Sequence, residues 1–132
     1  LLDRIDLHVD VPALSPRELQ AQRPGEPSAA IRARVVAARE RQLARLRYCA
    51  GVFANAQMGV REVRQYCRLE RDAEVLLRTA MERLGMSARA YHRTLRIART
   101  IADLGGAESI ATEHLAEAIQ YRKVDRRLAV EA

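Results

Sequence analysis

The run SARAYHRTLRIARTIADLGG, residues 87–106, decides the fold. Ser87 stands where an N-cap is needed and Gly105-Gly106 closes the run, so the sequence predicts a helix from Ser87 to Leu104. Tyr91, Leu95, Ala98 and Ala102 recur at helical spacing, and Thr94, Ile97 and Ile101 widen them into an apolar stripe. Arg89, Arg96 and Asp103 stand seven residues apart on the opposite side, flanked by Arg93 and Arg99, and this face is expected to meet solvent. A helix of this kind draws most of its stability from burying its stripe, so other helices must cover it.

They are found on both sides. Downstream, Thr112 is expected to cap a last helix from Glu113 to about Arg122, with Leu115, Ala118 and Ile119 inward, and 126–132 is expected to be a frayed tail. Upstream, a helix from about Glu70 to Leu84 should bury Leu76, Leu77, Ala80 and Met81 and stop at Gly85. Val60 to Cys67 reads as a short helix. Ser28 is expected to cap a long helix from Ala29 to about Tyr48, burying Ile31, Val35, Ala38 and Leu46, with Val36 and Leu43 at the edge. Ser15-Pro16-Arg17-Glu18 is a capping box that opens a helix of about two turns, ended by Pro24-Gly25. The predicted core is Leu76, Leu77, Leu95, Ala98, Ile101, Leu115 and Ile119.

The opening residues follow a different period. Ile5, Leu7, Val9 and Val11 share one parity and Asp6, His8 and Asp10 the other, which is the pattern of a half-buried strand. Nothing else in the chain alternates this way, and a lone strand cannot satisfy its backbone. Residues 1–11 are therefore expected to be loose or irregularly packed. The predicted fold is all-α, a bundle of about five helices preceded by an orphan strand-like segment.

Composition narrows the function classes. The chain has 132 residues, 48% hydrophobic and 30% charged, which suits one domain and excludes disorder throughout. No uncharged run approaches the ~18 apolar residues of a membrane span, and the start lacks the regions of a signal peptide, so a cytoplasmic location is expected. With no initiator methionine, the sequence is expected to be a piece of a longer protein. The net charge is +6, and arginine outnumbers lysine 22 to 1. The charge is concentrated, with +5 on residues 31–48 and +3 on residues 81–105. One Phe, four Tyr and no Trp leave little aromatic surface for stacking bases. Cys49 and Cys67 are too far apart for a close metal-ligand pair and too few for a disulfide framework, and reduced thiols are expected. His8, His92 and His114 show no ligand spacing, and no Walker phosphate loop or nucleophile motif is present. The chain by itself shows no catalytic centre.

Two arginine groups remain. Arg34, Arg41 and Arg45 fall within about 40° of one another on a helical wheel. Such a ridge either tracks the phosphates of a nucleic acid or is a solvated face. Arg89 lies in the first turn of its helix, where orphan N–H groups and the dipole already favour an anion. A cation there is unfavourable until something negative approaches, so Arg89 is a phosphate-binding candidate.

Leu1-Leu2-Asp3-Arg4-Ile5-Asp6-Leu7 resembles the segment that closes the nucleotide-binding core in AAA+ ATPases of the magnesium chelatase and MCM branch. The stretches 87–104 and 114–122 resemble the C-terminal lid of the magnesium-chelatase-like ComM/YifB competence proteins. The resemblance implies that residues 1–14 end an AAA+ core and 15–125 form its helical lid. It implies that Arg4 is the arginine finger and Arg89 the sensor-2 arginine, both reaching the ATP γ-phosphate, with Arg93 in support. It leaves open whether the lid serves its own nucleotide or the neighbouring subunit's. Cofactors implied for the full-length parent are ATP and Mg2+, with none in this piece, because the Walker A lysine and Walker B acid lie upstream of Leu1. The implied partners are neighbouring subunits of a homo-oligomeric ring, expected to be a hexamer, and DNA, with no membrane. The implied activity is a ring motor for branch migration in natural transformation. Two alternatives stand beside it: a stand-alone basic helical nucleic-acid-binding module acting through Arg34, Arg41 and Arg45, and the lid of a porphyrin magnesium chelatase motor subunit.

Overall fold

A computed structural model of the chain describes residues 4–21 and 23–131, with side chains through Arg122. Six α-helices follow in order: α1 (Pro16–Gln20), α2 (Ser28–Leu46), α3 (Val60–Tyr66), α4 (Arg71–Leu84), α5 (Ala88–Leu104) and α6 (Thr112–Glu131), with a 3-10 turn at Asn55–Gln57. The all-α architecture is the one expected. Strand-like pairing among the described residues amounts to one isolated parallel bridge, Leu69 to Ile110, which ties the loop before α4 to the loop before α6.

Local signals set most of the ends. At α1, Ser15 Oγ accepts from Glu18 N (3.2 Å) while Ser15 N donates to Glu18 Oε2 (2.8 Å), the reciprocal pair of a capping box. Gly85 takes the left-handed conformation, φ 59°, and its N–H returns to Met81 O to close α4. Ser87 Oγ accepts from Ala90 N (3.2 Å) and caps α5. Two caps differ from expectation. Pro27 is the N-cap of α2, so Ser28 lies inside the first turn and makes no cap bond. Before α6 the N–H of Ala111 donates to His114 Nδ1 (3.0 Å), so the imidazole does the work expected of Thr112. The backbone of α6 also continues helical to Glu131, past the end expected near Arg122.

The hub is α5. Helices α2, α3 and α6 and the 3-10 turn all pack on it, and α4 packs on α6. Leu77, Leu95, Ala98, Leu115 and Ile119 are buried as expected, and the same cluster includes Leu46, Met58, Val63, Cys67 and Ile110. Leu76 and Ile101 are only half-buried at its edge. Leu95 is 3% exposed, and Leu95→Ala should cost roughly 2–5 kcal/mol in urea unfolding. A variant as stable as the parent would contradict this placement.

One expected stripe extends beyond its cover. Ala38 and Leu46 of α2 are buried together with Gln42, but Ile31 and Val35 are exposed. Helix α2 meets α5 through its C-terminal half, and no described element covers its first turns.

Residues 5–15 have no regular secondary structure. The strand-like parity is not that of a covered face here: Ile5, Leu7, Val9 and Val11 are all exposed. The segment is pinned instead at two points, by His8 N donating to Tyr121 O (3.2 Å) and by an ion pair between Asp6 and Arg93 (3.2 Å).

Candidate functional site

Arg89 is exposed in the first turn of α5 and has no hydrogen-bond or ion-pair partner among the described residues. The cap on Ser87 satisfies Ala90 N but leaves a cation at the positive end of the helix. This is an uncompensated charge that an anion would relieve.

Arg93, one turn on, is engaged. Its Nε reaches Asp6 Oδ1 at 3.2 Å, and its side chain is only 13% exposed. Arg4, two residues before Asp6 and exposed, is therefore held within about 7 Å of chain from that ion pair. Arg89 and Arg93 lie one turn, roughly 6 Å, apart along α5. One ion pair thus tethers the segment bearing Arg4 to the helix bearing Arg89.

The arginines of α2 are differently placed. Arg45 spans Asp103 with both terminal nitrogens, Nη1 to Oδ2 at 2.9 Å, and Arg41 Nη1 donates to Asp103 O at 2.9 Å. Arg41 therefore satisfies a carbonyl at the C-terminal end of α5, where a cation is favoured. Gly106 makes room for it: its φ is +72°, and a Cβ there would stand 3.3 Å from Arg41 Nη2. Arg34 pairs with Glu26, and this bond holds the Glu26 carboxyl below its usual range. The three side chains do not form a row of free cations; two of them join α2 to α5.

Asp103 overturns the reading of α5's polar face. It is 0% exposed, whereas the spacing with Arg89 and Arg96 placed it in solvent. Besides Arg45, its carboxylate takes Asn55 Nδ2 at 2.8 Å and Arg99 Nη2 at 3.2 Å. Arg99 is itself buried and spans the carbonyls of Ala107 and Glu108, both at 2.9 Å. Arg96 is half-buried and donates to Met58 O at 2.9 Å. Burial lowers the Arg99 pKa, and Asp103 opposes that shift. This face is internal because α2 and the 3-10 turn pack on it, and burying charges there requires partners for each. A signal was present: an acid in the last turn of a helix meets the wrong end of the dipole, so a carboxylate there implies bound cations.

Cys49 and Cys67 are both free thiols. Burial pushes the Cys67 thiol up from its ordinary 9.0 to about 11. Both folded and unfolded chains carry this proton below pH 9; above it the unfolded chain ionises first. The contribution is whole below pH 9 and lost towards about 11, a change of roughly 2–3 kcal/mol. Stability measured against Cys67→Ala across pH 8–12 should show the two curves converging; parallel curves would contradict it.

No three His, Cys, Asp or Glu side chains among the described residues are grouped to hold a metal. His92 Nδ1 bonds Ala88 O at 2.8 Å, a local helix contact. No helix of the described residues is long and apolar enough to cross a membrane.

The Magnesium chelatase, subunit ChlI C-terminal family matches residues 25–122, from the loop before α2 into α6. The chain belongs to that family. Three relatives show how much of a longer protein it matches. The uncharacterized protein YifB of Escherichia coli (strain K12) is 42% identical over 128 residues, 96% of this chain and 24% of the relative. The competence protein ComM of Haemophilus influenzae is 43% identical over 128 residues, again 96% of this chain and 24% of the relative. The uncharacterized protein Mb2921c of Mycobacterium bovis is 36% identical over 127 residues, 96% of this chain and 25% of the relative. The chain thus spans about a quarter of the length of these relatives, and the resemblance to the ComM/YifB group is borne out.

Proposed function

We propose that the chain is the C-terminal lid of an AAA+ ATPase of the ComM type, with Arg89 sensing the ATP γ-phosphate. The observation that carries this reading is the unpaired Arg89 in the first turn of α5. A triphosphate meets there both a guanidinium and the positive end of a helix. Arg4 is the arginine finger of the scheme, and the Asp6–Arg93 ion pair supports mechanical coupling between finger and lid. Arg93 is occupied by Asp6, so it positions the finger segment and is free to join Arg89 only when that pair opens.

ATP and Mg2+ are the proposed cofactors of the full-length protein. The charge at Arg89 fits the nucleotide; the magnesium would be held by the phosphates and by residues outside this chain. The bound nucleotide supplies the phosphoryl group that is cleaved. The lid's own part is to neutralise charge on the transferred group through Arg89 and to move with α5 when that contact is lost. The proposed assembly is a homo-oligomeric ring, a hexamer, in the cytoplasm, and the exposed Ile31, Val35 and Val36 agree with a neighbour lying on α2. The proposed work is on DNA, in branch migration during natural transformation; the Haemophilus relative is named a competence protein.

Forked DNA should stimulate ATP hydrolysis by full-length protein, and Arg89→Ala should remove that stimulation while leaving ring assembly intact. Unchanged stimulated hydrolysis in the variant would remove the sensor assignment.

A further inference from the structure

A cleft of about 680 Å³ opens between α3, α4 and α5. Its apolar floor is offered by Leu69, Met81 and Tyr91, half-buried residues packed against the main core that contains Val63, Leu77 and Leu95. Its rim carries three arginines from three different elements: Arg64 on α3, Arg68 in the loop after it, and Arg78 on α4. All three are exposed and have no hydrogen-bond or ion-pair partner among the described residues. Glu74 is the one acid lining the same cleft, so the site carries an excess of positive charge. Most other arginines near the core are committed, Arg41 and Arg45 to Asp103, Arg96 to Met58 O and Arg99 to loop carbonyls.

Like charges gathered round one concavity repel each other, and an anion seated among them relieves that repulsion. Guanidiniums offer forked donors suited to phosphate oxygens. An apolar floor adds nothing for a bare ion but covers an organic body. Tyr91 and His92 of α5 also line the cleft and offer ring surface for a planar group. The volume falls within the usual range for a small-molecule site.

We propose that this cleft binds a nucleotide-sized phosphate ester, its phosphates held by Arg64, Arg68 and Arg78 and its base lying on the apolar floor. Arg89 does not line the cleft, so this site stands or falls independently of the sensor reading.

The test is binding of a fluorescent N-methylanthraniloyl ADP to this 132-residue chain, with competition by ADP, inorganic pyrophosphate and a short single-stranded DNA. The expected result is saturable binding that weakens with salt, with ADP competing at least tenfold better than pyrophosphate. The R64A/R68A/R78A variant, its helix content checked by circular dichroism, should lose at least tenfold in affinity, and Arg89→Ala should bind as the parent does. No binding, binding lost in Arg89→Ala but kept in the triple variant, pyrophosphate matching ADP, or competition by DNA alone would each overturn the proposal.

Discussion

Replacing Asp103 by Ala should lower the unfolding free energy by about 3–5 kcal/mol, the cost of stranding a buried charge partner. The substitution removes one carboxylate and leaves two guanidiniums behind it. Arg99 is only 3% exposed and Arg45 17% exposed, so water cannot take over from the lost oxygens. Asn55, 1% exposed, loses the acceptor for its Nδ2 at the same time. The damage reaches three elements, because Arg45 belongs to α2, Asn55 to the 3-10 turn and Arg99 to α5. Asp103→Asn keeps oxygen acceptance but not charge and should fall between the two. Urea denaturation of the chain and both variants measures this directly; an Asp103→Ala chain within 1 kcal/mol of the parent would show that the cluster holds nothing together.

The second large effect concerns Arg4. In the assembled full-length protein, Arg4→Ala should cut ATP hydrolysis on the order of a thousandfold, as expected for removal of an arginine finger. Nucleotide affinity should change far less, because a finger acts on charge that grows in the transition state. The side chain is exposed and unengaged among the described residues, so its removal should leave the bundle itself unaltered. Steady-state hydrolysis, read beside ring assembly by sedimentation, separates a catalytic loss from a failed assembly. A loss below tenfold in intact rings would take Arg4 out of that role.

These particular residues show what a sequence can and cannot carry. Ser15, Gly85 and Ser87 are legible because a cap is a contact across three or four positions, and composition at those positions states it. Leu77, Leu95 and Leu115 are legible because periodicity names a face. Periodicity does not say whether a partner exists for that face, and Ile31 and Val35 show the consequence on α2. The fate of Arg41 and Arg45 rests on Asp103, 62 and 58 positions away, a pairing that no local pattern encodes. Arg89 is legible as a candidate because the helix dipole needs only the position of a cap. Arg64, Arg68 and Arg78 come together through the packing of α3 and α4 against α5 and form no pattern along the chain.

Arg89 is proposed to read the γ-phosphate. Single-turnover cleavage of bound ATP by intact rings of Arg89→Ala protein tests it most directly. These rings should assemble and bind ATP but cleave it at least tenfold more slowly, with Arg89→Lys recovering part of the rate. Cleavage at the parental rate in Arg89→Ala rings would contradict it.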